Sequence, residues 1–571
     1  MDPLIKGLFK KFRENNELEQ MKESDAFELF AANLLLRDEL LDQVEMTDLL
    51  LDEGTIGVDL AFLEVNGEIV AGPADLPVVC GNKISLDVTL TLAQVKSSMS
   101  VSSAEILSFG DAAVKVLSNS VSDRYPKLSA ISQALFRIYE DYASKLKGRP
   151  RVNLFYVTTA SDESVNDENV RDRLSTIQKN AQGFGYIGDV STEIYGSAKL
   201  HEASLRKSQA NETVIVLEKS VNLPEMPGIG QGILGVTAVS ELLKLFKNDD
   251  GTLNERVFYD NVRGFKGEDN AVNRQIINTL GTKSRSLLPV LNNGVTVVAR
   301  SYAPKPGDAV SLTGYQVVNG CQTSHCIYLA EEQLGDSAQS VFVPIRIVVT
   351  EDEEVATQII RATNSQTAVN DSDFIALTKF QKRLEDFYVL DELGVQLTYE
   401  RRAGQFYFRD VTRTRIVSIS EQMRAVAATF LDLPHLATRY PSQLYADVGD
   451  SIFYDSHQLV PYVASAFAAY RLETAFRTNL EPEFKPLRYH ILTACKYILL
   501  EKPASKLESR HINEDGKKIV DSLRQSDYIA LFRETAQKII ESAGGQIPTP
   551  DRLKRQQFTA EMITYLMRNR S

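Results

Sequence analysis

Gly57-Val58-Asp59 is followed further along the chain by Gln94-Val95-Lys96. Acids and a lysine in that order are the working parts of metal-dependent phosphodiester hydrolysis. Carboxylates hold a divalent ion, the ion polarises the phosphoryl oxygen and lowers the pKa of bound water, and a lysine stands near the attacking water or the scissile phosphate. Asp59 lies between Val58 and Leu60 in a run that is apolar on both faces, where a carboxylate is costly unless it is paired or ligates a metal. Glu28 sits beside the apolar stripe of the first helical stretch and is a further candidate ligand or orienter. Each residue also has a plainer reading. An Asp after a Gly is commonly a turn residue, Lys96 could be a surface lysine, and acids such as Glu28 are favoured in a first helical turn by the helix dipole. Their order favours the chemistry over the plainer readings.

The elements that must position these residues follow from periodicity. Phe27, Phe30, Ala31 and Leu34 recur at helical spacing, with Ser24 or Asp25 as a cap. A second amphipathic stretch is expected around Leu40 to Leu51. GTIGVDLAFLEVNGEIV carries an Asn66-Gly67 hairpin signal. Ile84, Leu86, Val88, Leu90 and Leu92 alternate onto one strand face, and Gln94 and Lys96 continue that face where it stops being apolar. That places the pair at the mouth of a site, and the hairpin register must bring Asp59 alongside. Helical stretches at AEILSFGDAAVKVL and from Lys127 to Lys147 lead to the strand RVNLFYVTTA. Strands alternating with helices indicate an α/β layer.

The whole chain has 571 residues, enough for three or four domains at roughly 150 residues each. Lys+Arg 63 against Asp+Glu 76 leaves a net charge of −13, which excludes a protein coated in basic charge but not a local basic groove. The four cysteines, Cys80, Cys321, Cys326 and Cys495, are too scattered for a disulfide framework. With no long apolar run, the expectation is a cytoplasmic protein that does not enter a membrane.

The helix with Glu28, the strand with Asp59, the strand with Gln94 and Lys96, and the following helix and strand together resemble the PD-(D/E)xK restriction-endonuclease superfamily. The likeness is closest to its Mrr-like members, which often carry Gln where others have an acid. Downstream, Asn261-Val-Arg263-Gly264-Phe265, Asn292-Asn293-Gly294-Val-Thr296, Val318-Asn319-Gly320-Cys321-Gln322-Thr323 and Thr363-Asn364-Ser365-Gln366 resemble the abortive-infection phage-resistance (AIPR) family over most of residues 235–420. The resemblance implies an antiphage protein in which an N-terminal nuclease is fused to a family-specific module. Neutral Gln94 leaves one carboxylate fewer than the commoner nuclease pattern, so the number of metals stays open.

Without the family, those amides read first as loop braces and second as ligand contacts. Asn293-Gly294 and Asn319-Gly320 read as hairpin turns. Arg263, next to a glycine that allows close backbone approach, is the member expected to touch a phosphate and to share a polar cluster with Asn319. From Tyr399 to Arg415 the chain holds Arg401, Arg402, Arg409, Arg413 and Arg415 among four aromatics. This suits phosphate contact and base stacking, or equally a twisted hairpin with its aromatics inward. Gly230-x-Gly232-x-x-Gly235 is rejected as a dinucleotide motif because VNLPEMP before it is no Rossmann strand. Cys321, His325 and Cys326 lack a fourth ligand for zinc and read as packed helix residues.

The expected fold class is α/β multidomain: a restriction-endonuclease-like domain over 1–220, a mixed α+β AIPR-like module over 221–420, and a helical C-terminal region over 421–571. The expected function is a metal-dependent nuclease in antiphage defence, DNA before RNA, with the central and C-terminal regions sensing or restraining. Asp59 and Glu28 would hold Mg²⁺ (or Mn²⁺), Gln94 would orient water or the ion, and Lys96 would stabilise charge on the phosphate. Expected partners are nucleic acid, a phage-derived trigger, and a second copy, since two sites cut a duplex most simply. The alternative is an inactive nucleic-acid-binding or sensor protein that keeps a nuclease-like fold.

Overall fold

Asn66 and Gly67 take φ values of 52° and 83°, the left-handed pair that a two-residue hairpin turn demands. They join β1 (Leu60–Val65) to β2 (Glu68–Val70). The computed structural model describes residues 1–571 apart from 42, 53, 56, 82, 209–210, 249–250, 259–270, 365–377, 402–405, 407–410, 439–440 and 569–571. The chain forms two compact units. One comprises Met1–Ser208, Leu384–Tyr399 and Asp410–Ser571, and the other Gln209–Arg383 and Glu400–Arg409.

In the first unit, β3 (Val88–Lys96), β4 (Arg151–Thr158) and β5 (Val190–Tyr195) complete a sheet of order β2-β1-β3-β4-β5. β1 runs antiparallel to β2 and β3, while β4 is parallel to β3 and to β5. Both faces are covered. Ala61, Leu63, Val88, Leu90, Leu92, Val152, Leu154 and Tyr156 pack toward three helices, α3 (Ser103–Leu117), α4 (Pro126–Tyr142) and α5 (Glu168–Gln182). Leu60, Phe62, Ala93, Val95 and Val157 pack toward α1 (Pro3–Asn15), α2 (Glu23–Leu35) and α6 (Ser197–Ser208). Alternation along β3 therefore gives Gln94 and Lys96 to the α3 side.

Two local expectations need correction. Ile84 is 96% exposed, because the ladder ends at the Val65–Val88 pair, where β1 enters its turn. The stretch from Leu40 to Leu51 is not one helix but a turn of helix at Asp38–Leu41 and a 3₁₀ turn at Met46–Leu49, which presents Asp48 to the Arg488 guanidinium.

The second unit carries a sheet of order β12-β9-β13-β8-β7 and a smaller one of order β10-β11-β6. Their strands are β6 (Glu212–Val216), β7 (Lys219–Asn222), β8 (Gln231–Ala238), β9 (Val295–Ala299), β10 (Ser301–Lys305), β11 (Ala309–Thr313), β12 (Gln316–Asn319) and β13 (Phe342–Val349). Gly232 and Gly235 lie inside β8, so the glycine pattern there is not a strand-to-helix phosphate loop. β8 stays extended to Ala238, which pairs with Phe342 of β13, and a short helix follows from Val239. Helices α7 (Ala271–Leu280), α8 (Cys321–Leu329) and α9 (Glu353–Asn364) belong to this unit.

From Ile419 onward the first unit carries the helices α10 (Ile419–Thr429), α11 (Val460–Thr478), α12 (Arg488–Leu500), α13 (Ile512–Arg524), α14 (Tyr528–Ser542) and α15 (Gln556–Arg568). Among the described residues, no helix is long and apolar enough to cross a membrane.

Candidate active site

Gly57 takes φ +80°, and a Cβ there would meet the Ser108 carbonyl oxygen of α3 at 2.4 Å. Only glycine lets the chain pass α3 this closely before turning into β1. Asp59 follows at the mouth of the β1–β3 ladder. Its N–H donates to the Ala93 carbonyl at 2.9 Å, and its Oδ2 accepts from the Val95 N–H at 2.7 Å and from Lys96 Nζ at 3.3 Å. Asp59 and Lys96 are largely buried, at 16% and 27% side-chain exposure. Burial raises the Asp59 carboxyl above its ordinary pKa, and Lys96 and the Val95 N–H work against that rise.

Gln94 is beside them. It follows Ala93, which pairs with Leu60, and it pairs across the sheet with Tyr156. It is 4% exposed, and its Oε1 accepts no hydrogen bond among the described residues. Leaving such an oxygen dry and unpartnered is costly. Glu28 comes from α2, and its pKa is pushed up to about 8, first by burial and next by the Asp59 and Asp25 carboxylates, with Lys96 opposing. The four residues singled out from the sequence thus fall around one end of β3.

Glu105 and Tyr156 were not singled out. Glu105 sits in the first turn of α3 behind the Ser102 cap, accepts from the Tyr156 hydroxyl at 3.1 Å, and adds to the electrostatic load on Asp59. An acid in a first helical turn is too ordinary to stand out. Only the Tyr156–Gln94 register brings it to the same end of the sheet.

Among the described residues, no group of three or more His, Cys, Asp or Glu side chains is arranged to hold a metal ion. The oxygen donors that could hold one are the two carboxylates of Asp59 and Glu28 and the orphaned carboxamide oxygen of Gln94. That all-oxygen set suits a hard divalent cation, and a cation would offset the burial and the carboxylate repulsion that together raise the Glu28 pKa.

The expected nucleic-acid contacts are differently placed. Arg263, Arg402 and Arg409 lie outside the described residues. Arg401 is buried at 5% exposure. Arg413 and Arg415 form a 3₁₀ turn before Ile416–Ser418, a short strand that pairs with Thr398–Glu400. Arg415 Nε donates to Glu17 Oε1 at 3.0 Å, so its charge is already partnered.

In the second unit the amide motifs brace one another. Asn292 and Thr323 exchange hydrogen bonds at 3.0 and 3.2 Å, Asn273 donates to Gln322 at 2.8 Å, and Asn319 donates to the Thr363 carbonyl. Neither glycine pair makes the expected hairpin. Gly294 leads into β9, and Gly320, with φ +96°, caps α8 so closely that a Cβ would meet the Gly294 carbonyl at 2.9 Å. Cys321, His325 and Cys326 are buried in α8. The expected cluster of Arg263 with Asn319 lies partly outside the described residues.

No curated protein and no solved structure matches the chain. A family model for AIPR protein matches residues 258–547, a span that contains the braced amides Asn273, Asn292, Asn319 and Gln322 and continues through the helices to α14. That match covers just over half of the chain, and the chain belongs to the AIPR family, a membership that suggests a role in antiphage defence.

Proposed function

We propose that this chain is a metal-dependent nuclease of antiphage defence, with its active site at the end of β3. The observation that carries the reading is the contact of Lys96 with Asp59, with the unpartnered Gln94 Oε1 two residues before Lys96 on the same face of the same strand. The antiparallel β1–β3 pair followed by parallel β4 and β5 supports a restriction-endonuclease-like reading of the first domain.

Asp59 and Glu28 would hold Mg²⁺ or Mn²⁺, with Gln94 Oε1 as the neutral donor. The ion would supply Lewis-acid polarisation of the phosphoryl oxygen and a bound water of lowered pKa. Lys96 is placed to neutralise charge that develops on the scissile phosphate, which makes it an electrostatic stabiliser. Burial of Asp59 and Gln94 excludes bulk water and strengthens those interactions. DNA is the first substrate to test, with RNA second. Plasmid cleavage that needs Mg²⁺ or Mn²⁺ and stops in EDTA supports this reading, and a protein inert under every metal condition contradicts it.

A second reading, an inactive sensor or nucleic-acid-binding protein, has one observation in its favour. Asp59 is already satisfied by Lys96 and the Val95 N–H, a state that is stable without a metal.

A further inference from the structure

Glu17 lies between α1 and α2 with φ 52°, a conformation that non-glycine residues seldom adopt. Its carboxylate is surrounded by donors from distant parts of the same unit. Thr414 Oγ1 donates to Oε2 at 2.9 Å and Arg415 Nε to Oε1 at 3.0 Å. The Tyr470 hydroxyl reaches both oxygens, at 3.0 and 3.1 Å, and an Arg477 terminal nitrogen stands at 3.5 Å.

Four side chains donate to this one carboxylate and use its acceptor sites in full. Two guanidinium cations face a single negative charge, and Arg477 Nε is buried with no acceptor among the described residues. The Arg477 side chain is only 8% exposed, so that donor is a real deficit rather than a group solvated by water. Glu17 and Arg415, at 24% and 30% exposure, keep the cradle open to solution. Planar guanidinium donors converging with hydroxyls are what recognises phosphoryl oxygens, which offer more acceptor sites than a carboxylate.

We propose that Thr414, Arg415, Tyr470 and Arg477 form a phosphoryl-binding site that Glu17 fills in cis. The ligand is a phosphoryl group, carried by a nucleic-acid backbone or as free phosphate, and it enters by displacing Glu17. The sequence expectation that Arg415 meets phosphate is thereby kept, with an internal competitor added. Displacement would also free the α1–α2 connection.

The test is calorimetric binding of a deoxythymidine oligonucleotide and, separately, of inorganic phosphate, to the full chain in EDTA. Under those conditions metal-dependent cleavage is absent, so the result stands apart from the nuclease reading. Glu17→Ala should bind at least one of the two about tenfold more tightly than the unaltered chain, and Arg415→Ala in that background should abolish the gain. A gain with the oligonucleotide alone assigns the site to a backbone, a gain with phosphate alone to the free ion, and a gain with both to the phosphoryl group itself. Should Glu17→Ala fail to fold, Glu17→Gln removes the charge while keeping the side chain's shape, and the same comparisons apply. No tightening with either ligand, or tightening that survives Arg415→Ala, overturns the proposal.

Discussion

Lys96 Nζ lies 3.3 Å from Asp59 Oδ2, and that same oxygen takes the Val95 N–H at 2.7 Å. One strand therefore supplies the ammonium and also the backbone donor that aims the carboxylate at it. The pair is fixed by the β1–β3 ladder rather than by flexible loops, as a preorganised site requires.

Glu28 provides a pH signature. Its carboxyl titrates near pH 8 when folded against an ordinary value of 4.5, so between those limits the folded chain holds a proton that the unfolded chain has lost. Stability should fall as pH rises through that window. Glu28→Gln should remove the slope and, above pH 8, stabilise the metal-free protein by about 2 kcal/mol after discounting for partial solvent access. Thermal melts at pH 5, 7 and 9 check this, and parallel slopes for the two proteins would refute it.

Arg488 holds Asp48 with two guanidinium nitrogens, within reach of Glu473 at 3.0 Å. Burial alone would raise the Asp48 carboxyl, but Arg488 outweighs it and brings the pKa down to about 2. The stability this contributes is present above pH 4 and is lost as pH falls from about 4 to about 2. Arg488→Ala leaves the largely buried Glu473 without its ion-pair partner and Asp48 with only the longer Lys485 contact at 3.7 Å, and should cost about 2–3 kcal/mol, read by urea denaturation at pH 7.

His490 is fully buried in α12, with neither ring nitrogen hydrogen-bonded among the described residues. Burial, and then His435, pull its pKa down to about 3. The unfolded chain takes up the proton first, so stability should fall as pH drops from 6.5 toward 3. His490→Leu should spare the protein about 1–2 kcal/mol of that loss at pH 5 while changing little at pH 8. Equal losses in both proteins between those pH values would contradict the assignment.

Gly320→Ala should destabilise the second unit by about 2–4 kcal/mol, because the new Cβ meets a left-handed backbone and the Gly294 carbonyl together. Limited proteolysis should cut Gln209–Arg383 faster in this variant, while Gly307→Ala, where a Cβ meets nothing within 4 Å, should show the smaller effect.

The local parts of this fold were legible in the sequence because they depend on near neighbours. Asn66-Gly67 set the hairpin, and alternation along β3 put Gln94 and Lys96 on one face. Ile84 was misplaced because strand length depends on where the partner ends, and β1 ends at Val65. The Arg415–Glu17 pair joins residues 398 positions apart, and no periodicity reports such a contact. The same holds for Glu105, which reaches the candidate site only through Tyr156. Asn319-Gly320 carries the composition of a hairpin turn, but the helix packed after it makes the glycine a cap.

Plasmid cleavage paired with thermal melting of Lys96→Ala and Asp59→Ala tests the nuclease site at the end of β3. Lys96→Ala takes the cation from a largely buried carboxylate without removing core volume, so its melting temperature should drop while a single cooperative transition remains, and Mg²⁺-dependent cleavage should fall by about two orders of magnitude or more. Asp59→Ala should abolish cleavage and leave the metal-free protein folded. Undiminished cleavage by Lys96→Ala, or melting curves that collapse for both variants, would contradict the account.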